Sequence, residues 1–158
     1  MSLTSDPFEL TQITHSMNTV KLVAVFAENR PGQAARITGI LARASINIRC
    51  ITVASSGTFG VMKLLVNDPD RACHALQQEG FAATLMDVIA VEMPDKPGAL
   101  HSVADCLAAH SINLANTSGF VANNRAILVI EVQDPAPAGE VLKEHGFHVL
   151  TQKETLAV

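Results

Sequence analysis

The sequence predicts an α+β protein built from two copies of one small domain. The stretch ENRPGQAARITGILARASINI at 28–48 returns as PDKPGALHSVADCLAAHSINL at 94–114. A shift of 66 residues aligns the halves without a gap and gives about sixteen identities per unit. Within each half, apolar β-branched runs and helix-spaced segments follow one order: strand, helix, strand, strand, helix, strand. The period exceeds the roughly 20–50 residues of solenoid repeats, so the pattern is a duplicated domain.

Each element has a local reason. TVKLVAVF is a buried strand by its β-branched, apolar composition. After the turn AENRPG, Ala34, Ile37, Leu41 and Ala44 recur at helical spacing, as do Leu100, Val103, Ala104 and Leu107 in the second unit. Pro31 and Pro97 suit a first helical turn, where a missing N–H is no loss. INIRCITVAS reads as a strand, SGT as a hairpin turn and FGVMKLLV as the partner strand. Asp68 before Pro69 predicts an N-cap, and Gly80 predicts the end of the helix. FAATLM closes the unit as a strand. Two helices on one face of an antiparallel sheet, the ferredoxin-like βαββαβ arrangement, packs such a series.

The expected boundaries are an N-terminal extension at 1–17, units at 18–86 and 87–152, and a C-terminal tail at 153–158. FAATLMDVIAVEMP contains no Gly/Ser or Pro-rich linker, so one unit passes almost directly into the next. Asp6-Pro7-Phe8-Glu9 has the form of a helix cap, predicting a short turn or helix that docks Phe8, Leu10 or Ile13.

Composition narrows the function. Nearly half of the 158 residues are apolar, enough for a packed core. The longest apolar run is too short for a membrane span, and the N-terminus lacks the signature of a secretory signal. Cys50, Cys73 and Cys106 are widely spaced and form no CxxC or metal-ligand pattern, which points to a reduced, cytoplasmic setting without metal or cofactor. A net charge of −4 without a basic cluster argues against nucleic acid.

The duplicated words sit where a strand meets a helix and where the next strand begins. Open N–H groups at a helix start attract a carboxylate, and Gly32 and Gly98 keep no side chain between ligand and backbone. Asn29 and Asn47 each donate and accept, so they suit a zwitterion that carries both an ammonium and a carboxylate. The same residues also have a purely conformational explanation, because turns are rich in Asn, Pro and Gly.

ENRPG followed by SINI resembles the ACT domain, a ligand-sensing module of amino-acid metabolism, and is similar to the regulatory domain of phosphoglycerate dehydrogenases. The resemblance covers roughly 19–152 and extends to tandem ACT proteins through Phe59-Gly60 and Asp68-Pro69-Asp70. It implies an amino-acid effector held by Asn29 and Asn47, near Arg30, Pro31, Gly32, Gln33, Ala34 and Ile46. In the second unit it implies Gly98, Ala99, Leu100 and Asn113. There Asp95 and Lys96 replace Asn29 and Arg30, so the two sites should differ, the Asp95 carboxylate repelling a ligand carboxylate or attracting its ammonium. The resemblance further implies a non-catalytic allosteric regulator, paired as a homodimer through ACT–ACT contacts, with a separate metabolic enzyme as a further partner.

Other classes carry less. RNA recognition needs exposed aromatics on central strands, and GVMKLLV and RAILVIEV offer none. An acylphosphatase-like enzyme would use Arg30 and Asn47 around a phosphate. None of the six histidines recurs in the other unit, and His110 fits a helix end. A ligand-free assembly module is the remaining alternative.

Overall fold

The computed structural model describes residues 19–123 and 125–158. The expected cap at Asp6–Glu9 lies outside the described residues. Residues 21–86 form one compact unit, and 87–158 with residues 19–20 form another.

The first unit runs β1 (Val20–Glu28), α1 (Gln33–Arg43), β2 (Ile48–Ser56), β3 (Phe59–Val66) and α2 (Pro69–Gln78), then enters β4 (Ala82–Met93). The second continues from β4 through α3 (Ala99–Ala109), β5 (Asn116–Ala122), β6 (Arg125–Glu131), α4 (Pro135–Glu144), β7 (His148–Leu150) and α5 (Gln152–Ala157). FAATLM and the strand expected after it are therefore one twelve-residue strand, β4. No turn residue separates Met86 from Asp87, and the strand runs on into the buried stretch Val88–Val91. Residues 153–157 of the segment read as a tail belong to α5. Thr151 and Glu154 close a reciprocal capping box there, with Glu154 Oε2 accepting from the Thr151 amide at 2.8 Å.

In the first unit the strand order is β2-β3-β1 with β4 beside β1; β3 is antiparallel to both its neighbours. The second unit repeats this as β5-β6-β4-β7, again antiparallel throughout. Both units are ferredoxin-like, each a single sheet with two helices packed against it.

The cores follow the predicted periodicity. Ile37, Ile40 and Leu41 of α1 and Ala72 and Leu76 of α2 pack on Val23, Val25, Met62 and Leu64. Val103 and Leu107 of α3 and Ala138 and Leu142 of α4 pack on Ile89, Val91, Leu128 and Ile130. Each large side chain so buried contributes roughly 1.5–3 kcal/mol.

The repeated words prove to be helix punctuation. Gly32 lies at φ 90°, ψ −17°, and the Gln33 amide donates to the Arg30 carbonyl, so Arg30-Pro31-Gly32-Gln33 is a type II turn. Lys96-Pro97-Gly98-Ala99 repeats it, with Gly98 at φ 89°. Pro31 and Pro97 thus occupy the corner of a β-turn, not the first helical turn that was expected; the glycine is the N-cap. At the other end, Ser45 and Ser111 adopt φ 56° and 58°. The Ile46 amide donates to Leu41 and the Ile112 amide to Leu107, a Schellman ending in both units. Gly80-Phe81 and Gly146-Phe147 end α2 and α4 in the same way. Asp68 caps α2 as expected, its Oδ1 accepting from the Arg71 amide at 3.1 Å.

Candidate functional site

The strand-to-helix turn of the first unit is braced by the β2–β3 hairpin. The Asn29 amide donates to the Thr58 carbonyl at 2.8 Å, and Asn29 Nδ2 donates to the Gly57 carbonyl at 3.2 Å. With one of its two N–H groups bonded to Gly57, the Asn29 side chain offers its oxygen as an acceptor. Arg30 Nε pairs with the Glu28 carboxylate at 2.9 Å. The Arg36 amide makes the first helical bond, to the Gly32 carbonyl. The amides of Ala34 and Ala35 lie ahead of it in the first turn, where no helical carbonyl precedes them. A Cβ at Gly32 would meet nothing within 4 Å, so the approach to these amides is open. Beside them is a cavity of about 100 Å³ lined by Asn29, Arg30, Gln33, Ala34, Val53 and Met62 among others.

The second unit opens a larger cavity at the same turn, about 770 Å³. Lys96, Pro97, Gly98, Ala99 and His101 line one side, and Glu92, Arg125 and His148 another. Arg125 grips Glu92 through two nitrogens, Nε at 2.7 Å from Oε1, and His148 Nδ1 lies 2.9 Å from Oε2. The Arg125 hydrogen bond, with help from His148, holds the Glu92 carboxyl below its ordinary range; the same bond raises the Arg125 guanidinium. Arg125 is thus committed to a carboxylate, and Lys96 is the cation of this wall that is not, so the cavity suits an anionic group near the bare amides of Leu100 and His101. Asp95 is exposed and is not among the residues that line the cavity. Leu100 is also exposed.

Asn47 and Asn113 are elsewhere. β1 and β2 are both antiparallel to β3 and so run parallel to each other. Asn29 follows the end of β1, and Asn47 precedes the start of β2, at the other end of the sheet. Along β3 the separation runs from Gly60, opposite Ala27, to Val66, opposite Ile48, about 20 Å at strand spacing. Within one unit the two asparagines do not meet. The backbone of Asn47 is tied to Asn67, whose Oδ1 accepts from its amide at 2.9 Å, while its side chain is exposed. Ile46 is buried in the core and its amide closes α1. Arg30 and Asn47 are likewise too far apart to cradle one phosphate, which removes the residues expected for an acylphosphatase-like site.

A family described as ACT domain pair matches residues 18–158. The chain belongs to this family. A Bacteroides thetaiotaomicron protein of known crystal structure shares 31% identity, with a TM-score of 0.85 over 90% of this chain and 99% of that one. The fold also matches the ligand-free regulatory subunit of aspartate kinase from Thermus thermophilus, at 16% identity and TM-score 0.59 over 82% and 94% of the two chains. That of Thermus flavus matches at 18% identity and TM-score 0.54 over 81% and 92%. No curated protein matches.

Each ACT unit therefore presents its helix-start turn to a cavity, but with different walls. Sequence reasoning missed Glu92, Arg125 and His148, which come from three strands and meet only in the fold. It also missed the exposed Phe26 and Phe59, which stand at the repeat positions of Glu92 and Arg125. No described helix is long and apolar enough to cross a membrane.

Proposed function

We propose that this ACT domain pair is a non-catalytic regulator that senses a free amino acid. One observation carries the reading: in each unit a cavity falls on the same turn, beside amides left open by the start of a helix. In the first unit the ligand carboxylate meets the Ala34 and Ala35 amides, and its ammonium meets the Asn29 oxygen. A volume near 100 Å³ admits the polar head of an amino acid. The remaining wall comes from an ACT unit of a second chain, which brings its own Asn47 or Asn113 to the turn. Support for such pairing is the position of β2 at the edge of its sheet, with Ile51 and Val53 exposed at 45% and 62%. A homodimer supplies the partner surface, and a change in pairing passes the signal to a separate metabolic enzyme. Three unbridged cysteines fit a cytoplasmic setting.

Calorimetry and thermal shift against the amino acids test this. A ligand at a hundred times its Kd adds about 2.7 kcal/mol to stability. Asn29→Ala and Asn47→Ala should each weaken binding at least tenfold while circular dichroism stays unchanged. If no amino acid binds and Ile51→Glu still dissociates a dimer, the protein is an assembly module without a ligand.

A further inference from the structure

We infer that the second unit carries a transition-metal site of the zinc class at the C-terminal ends of α3 and α4, formed by Cys106, His110 and His145. One ligand-capable atom from each of the three lies within 4.8 Å of the others. Cys106 and His110 are four residues apart on one helix face, and His145 is the C-cap of the neighbouring helix. The two imidazole centroids are 4.7 Å apart at 74°.

The hydrogen bonds select the ligand atoms. His110 Nδ1 donates to the Cys106 carbonyl at 2.9 Å, and His145 Nδ1 donates to the Val141 carbonyl at 2.8 Å. A carbonyl oxygen only accepts, so each Nδ1 carries the hydrogen and each Nε2 presents a lone pair. These bonds fix ring orientation and raise ligand basicity, the usual support behind a metal-bound histidine. Capping uses only Nδ1, so it leaves Nε2 and the Cys106 sulfur unassigned.

The surroundings favour a cation. Two helix C-termini end side by side, and each brings partial negative charge. In the first unit guanidinium groups meet these ends. Arg36 donates to the Glu79 carbonyl at 3.1 Å, and Arg71 donates to the Ala44 carbonyl at 2.9 Å. The repeat positions in the second unit hold Ser102 and Pro137 instead. Conversely, Cys106, His110 and His145 stand where the first unit has Ile40, Ala44 and Glu79. One unit answers its helix ends with arginine, and the other is equipped to answer them with a metal.

One sulfur and two imidazole nitrogens suit zinc or cobalt in tetrahedral geometry. Ligand atoms in such a site lie roughly 3.3–3.6 Å apart, given metal distances near 2.0–2.3 Å. Drawing groups that lie within 4.8 Å of one another to that spacing takes movement of two exposed imidazoles and a half-buried thiol. Three protein ligands leave a fourth position for water.

The test uses the full chain and cobalt(II) alone, with zinc as competitor. The expected result is one equivalent of cobalt with intense visible bands of a tetrahedral centre and a near-ultraviolet thiolate charge-transfer band, both removed by zinc. Cys106→Ser should abolish the charge-transfer band, and His110→Gln and His145→Gln should each weaken cobalt at least tenfold. His74→Gln, on an exposed face of α2, should change nothing. Metal-free circular dichroism checks that each variant is folded. A charge-transfer band that survives in Cys106→Ser, or a spectrum of octahedral cobalt without thiolate, overturns the site.

Discussion

The two units share a backbone and differ in what they place at its ends. At the helix starts, both use a Pro-Gly type II turn, yet Phe26 and Phe59 in one unit stand at the positions of Glu92 and Arg125 in the other. At the helix stops, both use a serine in the left-handed region, yet arginines cap one pair of helices and histidines the other. The residues identical between units shape the backbone or fill the cores. Pro and Gly make the turn, Ser-Ile the Schellman ending and Asp-Pro the helix start. Several side chains that line the cavities changed, Glu92, Ser102, Arg125 and His148 standing where the first unit has Phe26, Arg36, Phe59 and Ala82. The duplicated words thus explain the fold, and the differences between the copies mark where chemistry can differ.

The largest test of this division is in the cores. Leu41 and Leu107 occupy the same repeat position, are both fully buried, and each provides the carbonyl that closes its helix. Leu41→Ala and Leu107→Ala should each cost about 2–5 kcal/mol, as a cavity plus lost transfer energy. Urea midpoints measure it. Costs that differ by more than the scatter of such series would mean the two cores are not equivalent despite their shared pattern.

The turn comes next. A Cβ at Gly32 or Gly98 meets nothing within 4 Å, so the penalty for alanine is the left-handed backbone alone. Gly32→Ala and Gly98→Ala should each cost about 1–2 kcal/mol. An equal loss of stability with unequal loss of amino-acid affinity would show which turn holds the ligand.

A smaller effect of opposite sign is expected at the helix stops. Ser45 and Ser111 carry side chains where α2 and α4 use Gly80 and Gly146. Ser45→Gly and Ser111→Gly relieve the left-handed strain but add freedom to the unfolded chain, for a net gain of about 0.5–1 kcal/mol. Thermal midpoints should rise in both. A fall would show that the serine hydroxyl matters to the ending.

Legibility tracked sequence distance. Asp68-Pro69 and Gly80 act within one turn of the chain, so the cap and the stop of α2 could be read directly. Pro31 was harder: a helix start and a type II turn both welcome proline, and only the positive φ of Gly32 separates them. The Thr151–Glu154 box was visible as a pattern and would have turned the expected tail into α5. The site divides similarly. That Asn29 and Asn47 fall at opposite ends of a unit follows from two parallel strands joined by a helix, a consequence of the predicted order itself. Arg125 and His148 lie 33 and 56 residues from Glu92, and nothing local announces their meeting. The spacing from Cys106 to His110 was readable as one helix face; the approach of His145 was not.

The smallest effect separates the units by charge. Hydrogen bonds from Arg125 and His148 hold the Glu92 carboxyl below its ordinary range. A carboxyl of lower pKa in the folded chain takes up its proton more readily when unfolded. Its contribution is therefore complete above the unfolded value, about 4.3, and fades as pH falls through the folded one. The Glu92 side chain keeps 24% of its surface in water, and screening limits its contribution to roughly 0.2–1 kcal/mol. Glu92→Gln should lower the stability read from urea unfolding by that amount at neutral pH. The gap from the parent protein should then narrow as the solution is acidified below the ordinary glutamate range, and should shrink in high salt. Phe26, at the same repeat position, cannot titrate, so any pH dependence lost in Glu92→Gln belongs to the second unit. A gap that stays constant from neutral to acid would assign the effect to packing and leave the Glu92–Arg125 pair without an electrostatic role in stability.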